Sequence, residues 1–83
     1  MVISLYAVRD SYLGYSMPII RDNDSVASRA FEYDCLMENS PYKTRPECYS
    51  LFHIGFYDTD SSRVESIDPV FICSASDFIR KED

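Results

Sequence analysis

The segment 49–57, YSLFHIGFY, constrains the fold of this chain more than any other. It has the length and residue types of a β-strand, yet apolar and aromatic side chains occupy both of its alternating faces. One face would carry Phe52, Ile54 and Phe56, and the other Leu51, His53, Gly55 and Tyr57. A surface strand in a small domain alternates apolar with polar side chains. We therefore expect both faces of this strand to be covered.

The length and charge of the chain limit its class. Its 83 residues predict a single domain, residues 1–83, that buries about 60–65% of its surface. Hydrophobic residues make up 46% of the chain, which is enough for a core and excludes a disordered protein. Acidic residues outnumber basic ones 14 to 8, and the net charge of −6 argues against DNA binding through a basic stripe. It is compatible with a basic partner.

The cysteines and the N-terminal segment indicate a compartment. Cys35, Cys48 and Cys73 are odd in number and widely spaced, which favours a reducing environment over a disulfide framework. The N-terminal segment lacks the basic region of a signal peptide, and no window reaches the roughly 20 apolar residues of a membrane helix. We expect a soluble, cytoplasmic protein with no membrane contact.

The best helix is predicted over residues 24–38. Asn23 or Asp24 is a suitable N-cap, and acidic residues at the start suit the helix dipole. Apolar residues between Val26 and Met37 recur largely on one side at the helical period. The segment Asn39-Ser40-Pro41 then ends the helix.

Extended segments lie on both sides of this helix. They are predicted at residues 3–8, 16–21, 49–57 and 63–67, with a further run at 70–73. Pro18 cannot donate to a strand ladder, so the segment 16–21 is expected at a sheet edge. Ser74 or Ser76 is expected to cap a short C-terminal helical turn, and the tail 80–83 to be solvated.

This order predicts an α+β fold, a four-stranded antiparallel sheet in the order ββαββ with the helix on one face. The residues expected in the core are Leu5, Ala27, Phe31, Phe52 and Ile54. The helix would cover the face of Phe52, Ile54 and Phe56. The opposite face, which would carry Tyr6, His53 and Tyr57, is left without a helix.

The sequence predicts no catalytic site, metal site or cofactor. One histidine and three cysteines fit no zinc pattern. Asp58 and Asp60 begin like a calcium loop, but Arg63 and Pro69 stand where that loop needs Gly and Glu. The chain also lacks a Gly-rich phosphate loop and a Ser-His-Asp set. We expect a protein that is not an enzyme.

One basic and aromatic cluster lies in and beside the loop PYKTRPEC. It consists of Tyr42, Lys43, Arg45 and Tyr49. Such residues can hold single-stranded DNA by phosphate pairing and base stacking. A solvated loop is the simpler alternative in an acidic chain. The four residues are candidates for binding nucleic acid or a partner.

Two segments resemble a known family. The segments 22-DNDSVASRAF-31 and 46-PECYSL-51, the latter continuing into 54-IGFYD-58, are similar in order and spacing to two blocks of the small nonstructural protein of gokushoviruses. These are single-stranded DNA phages of the microvirus group. The resemblance covers roughly residues 3–73. The chain differs at Cys48, where the family tends to have Asp, and at Ser61-Ser62, where the turn tends to contain Gly.

The resemblance implies a noncapsid phage protein made in the host bacterial cytoplasm. It implies a role in single-stranded DNA synthesis or packaging, at the switch from duplex replication to packaging, and brings no catalytic residues. The expected partner is a phage replication or procapsid protein. Direct binding of single-stranded DNA, or an acidic decoy that occupies a DNA-binding surface, are the alternatives.

The uncovered sheet face is expected to meet a second copy of the chain. A homodimer or higher closed oligomer would bury Tyr6, His53 and Tyr57, whose polar tips suit an interface. Self-association removes more apolar area from water than a small chain can alone, and a two-fold contact is the commonest solution. The alternative is that the segment 70–79 folds back over this face.

Overall fold

The computed structural model describes residues 1–79 and shows a five-stranded antiparallel sheet with one α-helix on one face. The strands are β1 (Val2–Asp10), β2 (Gly14–Tyr15), β3 (Ile19–Arg21), β4 (Tyr49–Asp58) and β5 (Val64–Ser74), and the helix is α1 (Asp24–Leu36). Short 3-10 turns cover Pro41–Lys43, Pro46–Cys48 and Ala75–Asp77. The α+β class and the antiparallel sheet are confirmed. The predicted tail at 80–83 lies outside the described residues.

The prediction of four strands in the order ββαββ is corrected to five strands in the order βββαββ. β1 and β4 are the central strands, and they pair from Val2 opposite Asp58 to Asp10 opposite Tyr49. β5 pairs with the other edge of β4, while β2 and β3 both pair with the free edge of β1. Pro18 separates β2 from β3 because it has no N–H to donate. The edge strand predicted at 16–21 is thus observed only over Ile19–Arg21, and β2 is an additional strand.

Local hydrogen bonds set where α1 begins and which side it buries. The Asn23 side chain accepts a hydrogen bond of 2.9 Å from the Val26 N–H, which makes Asn23 the N-cap. Three residues spaced by four, Ala27, Phe31 and Cys35, are buried against the sheet. The burial of Ala27 and Phe31 was predicted.

The strand face under α1 differs from the predicted one. The core consists of Tyr6, Val8, Ala27, Phe31, Cys35, Leu51, Cys73 and Ala75. Leu51, and not Phe52 or Ile54, therefore lies beneath the helix, while Phe56 is on the helix side of the sheet but outside this core. Phe52 and Ile54, predicted in the core, are only half-buried, whereas Leu5 is buried as predicted.

An irregularity in β4 explains this error. Leu5 lies opposite Gly55 and the next residue, Tyr6, lies opposite His53, so Ile54 is an additional residue in β4. A bulge of this kind shifts the alternation of every side chain beyond it. His53 and Phe56 therefore share one side of the sheet, although three residues separate them.

The side of the sheet away from α1 has no covering layer among residues 1–79. We call it the open face. The strand pairing places these apolar side chains on it: Ile3, Leu5, Ala7, Tyr15, Ile20, Phe52, Tyr57, Val64 and Phe71. Among the paired strand residues described, Arg9 is the single charged one on this face. The free face of an antiparallel sheet is usually polar.

β5 is the outer strand and is irregular. Its register against β4 shifts twice, between Leu51 and Phe52 and between His53 and Gly55. The turn before it places Ser62 at a φ of 61°, in the left-handed region that glycine adopts most readily. This is the turn where the gokushovirus pattern tends to contain Gly. Of the two predicted caps of the final helical turn, Ser74 and Ser76, Ser74 is the N-cap, since its Oγ accepts from the Ser76 N–H.

Candidate functional site

Two loops meet at one end of the sheet, and we call this region the loop end. The first loop, residues 11–13, follows β1. The Asp10 carboxylate accepts hydrogen bonds from the Tyr12 N–H at 2.8 Å and the Leu13 N–H at 3.4 Å. Gly14 completes the turn at a φ of 93°. This tight turn leaves the side chains of Tyr12 and Leu13 74% and 87% exposed.

The second loop, residues 40–48, connects α1 to β4. The Ser40 hydroxyl caps its first 3-10 turn by accepting from the Tyr42 N–H at 3.2 Å. Lys43 and Arg45 follow and are both exposed. Pro46 is buried and starts the second 3-10 turn, which leads directly into β4. The loop thus holds its two cations at the surface on a fixed backbone.

The two loops touch at two points. The Ser11 N–H donates to the Cys48 carbonyl oxygen at 3.0 Å. The Arg45 guanidinium carbon lies 5.9 Å from the centre of the Tyr12 ring, which is within the range of a cation–π contact. The loop end therefore presents exposed apolar side chains from one loop beside cations from the other.

The four residues predicted in this region have different environments. Lys43 and Arg45 are exposed, whereas Tyr42 and Tyr49 are half-buried and pack against the core. The Tyr42 ring lies 4.8 Å from the Tyr49 ring and 5.4 Å from the Phe31 ring, between ring centres. Burial, assisted by the negative charge of Asp34, raises the pKa of Tyr42. The two tyrosines therefore support the loop and do not display a free stacking surface.

Sequence reasoning missed Tyr12 and Leu13. They lie in DSYLGY, which predicted a turn, but turns are ordinarily built from Gly, Pro, Asn, Asp and Ser. The turn itself does not require two large apolar residues at its tip. Their presence there could have marked Tyr12 and Leu13 as candidate functional residues.

The three predicted interface residues do not share one face. Tyr57 lies on the open face, opposite Ile3. Tyr6 is 1% exposed on the helix side, where its hydroxyl donates to Asp24 Oδ1 at 2.6 Å. The His53 ring lies 5.0 Å from the Tyr6 ring on that same side. The prediction that Tyr6 and His53 lie on the uncovered face is therefore wrong.

Burial on the helix side raises the pKa values of three groups, which keeps them protonated. Burial, and then the hydrogen bond to Asp24, raises the pKa of Tyr6 to about 12. Burial raises the pKa of the Cys35 thiol to about 11 and also raises that of Cys73. A protonated thiol is the less reactive form. Within residues 1–79, no group of three or more His, Cys, Asp or Glu side chains is arranged to hold a metal ion.

On the open face, aromatic rings from β2, β4 and β5 form a row. The Tyr15 and Phe52 ring centres are 5.7 Å apart, and the Phe52 and Phe71 ring centres are 5.8 Å apart. Both pairs meet edge to face, the preferred arrangement of aromatic rings. The sheet thus carries a second exposed surface, distinct from the loop end.

The comparison with protein families decides the membership of the chain. A family model described as phage ORF5 protein matches residues 3–78. The chain belongs to this phage ORF5 family. The match includes both loops of the loop end and nearly all of the sheet, so both surfaces lie within the matched residues. No curated protein and no solved structure matches the chain.

None of the helices within residues 1–79 is long and apolar enough to cross a membrane.

Proposed function

We propose that this phage protein has no catalytic activity of its own and acts by binding a protein partner at the loop end. The observation that carries the proposal is the exposure of Tyr12 and Leu13 beside Arg45. Tyr and Arg are enriched at protein interfaces and among the residues that dominate binding energy. An exposed Leu13 side chain buries no apolar surface in the folded chain and so does not stabilise it. Contact with a bound partner would bury this side chain.

The resemblance to gokushovirus nonstructural proteins supports the setting of this binding. The process is the synthesis or packaging of viral single-stranded DNA in the host bacterial cytoplasm, and the partner is the phage replication protein or the procapsid. Membership of a phage ORF5 family is consistent with this setting. The contact is apolar at Leu13, with Arg45 and Lys43 at its rim, so a matching partner surface carries an apolar pocket bordered by carboxylates.

A pull-down tests this proposal. The immobilised full-length protein is incubated with the replication protein and, separately, with procapsids of the same phage, after nuclease treatment. The wild type and Tyr33→Ala are expected to retain one of them, because Tyr33 is exposed on α1 and away from the loop end. Leu13→Asp is expected to lose it, because the substitution places a charge in an apolar contact. Equal retention by Leu13→Asp, or retention by none, would contradict the proposal.

Direct binding of single-stranded DNA is a second candidate. Its support is the Arg45 guanidinium against the exposed Tyr12 ring, with Lys43 two residues away, since cations and stacking rings together hold single strands. Two phosphate contacts predict that log K falls with log salt with a slope of about −1.4. Arg45→Ala is expected to reduce that slope by about 0.7. A mobility shift with a single-stranded oligonucleotide at two salt concentrations measures both.

An acidic decoy is the third candidate, and the net charge of −6 supports it. A decoy competes with DNA for the basic surface of a replication protein while showing no affinity for DNA itself. The mobility shift described above would then be negative. Displacement of a labelled oligonucleotide from the replication protein by the wild type would distinguish the decoy from both other candidates.

A further inference from the structure

The open face carries exposed apolar side chains on its outer strands, although Leu5 and Ala7 on the central strand β1 are buried. Phe71 and Val64 on β5 are 56% and 63% exposed, and Ile20 on β3 is half-exposed. These are alternate positions along their strands, where an antiparallel sheet facing water carries polar side chains. Contiguous apolar patches of this kind mark interaction sites on soluble proteins.

The chain's own C-terminal segment does not cover this face. The predicted alternative was that residues 70–79 fold back over it. Instead, Val70–Ser74 form the end of β5, and the residues after them turn to the helix side. There Phe78 lies 6.3 Å from Phe31, between ring centres, and Ile79 packs against the same core. Up to residue 79, the chain supplies the open face with no cover.

The charge distribution identifies a suitable occupant. The paired strand residues Asp10, Asp58 and Glu65 all point to the helix side, whereas the open face carries only Arg9 among the paired strand residues described. Two copies of a chain with a net charge of −6 repel each other over most of their surfaces. Through the open face, they can approach without burying a carboxylate.

The dimensions of the sheet are sufficient for a stable contact. The ten residues of β4 span about 33 Å, and the three long strands β1, β4 and β5 side by side span about 14 Å. With the five residues of β2 and β3 as a partial fourth strand, the footprint is about 550 Å² per copy, and two copies would bury about 1,100 Å² in total. A biological interface is expected to bury at least about 1,000 Å².

We propose that the open face is the interface of a homodimer, with the two sheets packed face to face. The two-fold axis lies between the sheets and across the strands, so that the strands of the two copies run in opposite directions. This orientation brings Arg9 of one copy towards the turn after β4 of the other, where the Asp60 side chain is exposed. The row Tyr15, Phe52 and Phe71 of each copy forms the centre of the contact.

Sedimentation equilibrium of the full-length protein tests the pairing. The wild type is expected at twice the chain mass of 9.6 kDa, 2 × 9.6 = 19.2 kDa, across the micromolar range, with no weakening at high salt. Phe71→Asp and Val64→Asp, in different paired stretches of β5, are both expected to sediment as monomers. Tyr33→Asp is the matched control, because Tyr33 is 68% exposed but lies on α1, and it is expected to remain a dimer.

Two results would overturn the proposal. The first is a monomeric wild type at 9.6 kDa. The second is a dimer that survives both β5 substitutions, with circular dichroism showing that each variant is folded. Arg9→Glu tests the orientation separately. It should raise the dimer dissociation constant several-fold at low salt and less at high salt, and an unchanged constant would exclude the antiparallel arrangement.

Discussion

Replacing Gly55 by alanine tests the close approach of β5 to β4. Gly55 lies opposite Ser66, just beyond the irregular segment of β5. A Cβ at position 55 would overlap the carbonyl oxygen of Glu65 and lie 3.3 Å from its carbonyl carbon and 3.4 Å from the Ser66 Cα. All three obstructing atoms belong to the main chain, so no side-chain rotation can relieve the clash. The two strands must separate locally.

The expected cost follows from two opposing effects. Overpacking in a well-packed region costs about 1–3 kcal/mol, and the rigid main chain places this case in the upper part, about 2–3 kcal/mol. Replacing glycine by alanine also restricts the unfolded chain, which stabilises the fold by about 0.4–1 kcal/mol. The net loss of unfolding free energy is therefore about 1–2.6 kcal/mol.

Urea denaturation followed by circular dichroism measures this loss, at one fixed protein concentration because self-association adds to stability. Gly14→Ala is the matched control. Gly14 has a φ of 93° but no atom within 4 Å of the added Cβ, so its cost of about 1–2 kcal/mol is conformational only. Hydrogen exchange separates the two variants, since only Gly55→Ala should lower protection between β4 and β5. An alanine variant at position 55 as stable as the wild type would refute the described approach of the strands.

Two further predictions concern the helix side. In urea denaturation, Phe31→Ala should lower the unfolding free energy by about 3–5 kcal/mol, because Phe31 is 3% exposed. Tyr33→Ala on the same helix should change it by less than about 0.5 kcal/mol. Equal effects would mean that α1 does not bury the side that carries Phe31. Burial and the bond to Asp24 raise the pKa of Tyr6 from 10 to about 12, so its contribution to stability is complete below pH 10 and is lost as pH rises through 12. The loss is at most about 2.7 kcal/mol, and Tyr6→Phe should lack this part of the alkaline decline in urea midpoints measured across that range.

Much of the helix side could be predicted from the sequence because its signals are local. Asn23 as N-cap and the spacing of Ala27 and Phe31 depend only on neighbouring residues. The face on which each strand residue lies follows from alternation along the strand, and one additional residue reverses the assignment of every residue beyond it. Ile54 takes this position because of how β4 meets both of its neighbours, which no pattern within residues 49–57 records.

The residues of the candidate site could likewise be predicted only where local sequence determines their exposure. The cations Lys43 and Arg45 could be placed at the surface because no core accepts them unpaired. Tyr42 and Tyr49 could not be distinguished from exposed rings, since Tyr42 packs against Phe31 of the helix and Tyr49 packs against Tyr42. Tyr12 joins the site through Arg45, a contact between loops that lie more than thirty residues apart.

The irregular pairing of β5 also bears on aggregation. An outer strand of 11 residues would offer a template longer than the six or seven residues that a fibril-forming segment needs. The two register shifts divide it into paired stretches of two, two and three residues, and Pro69 removes one donor between them. The chain can thus keep an apolar sheet face while its outer strand resists the addition of further strands.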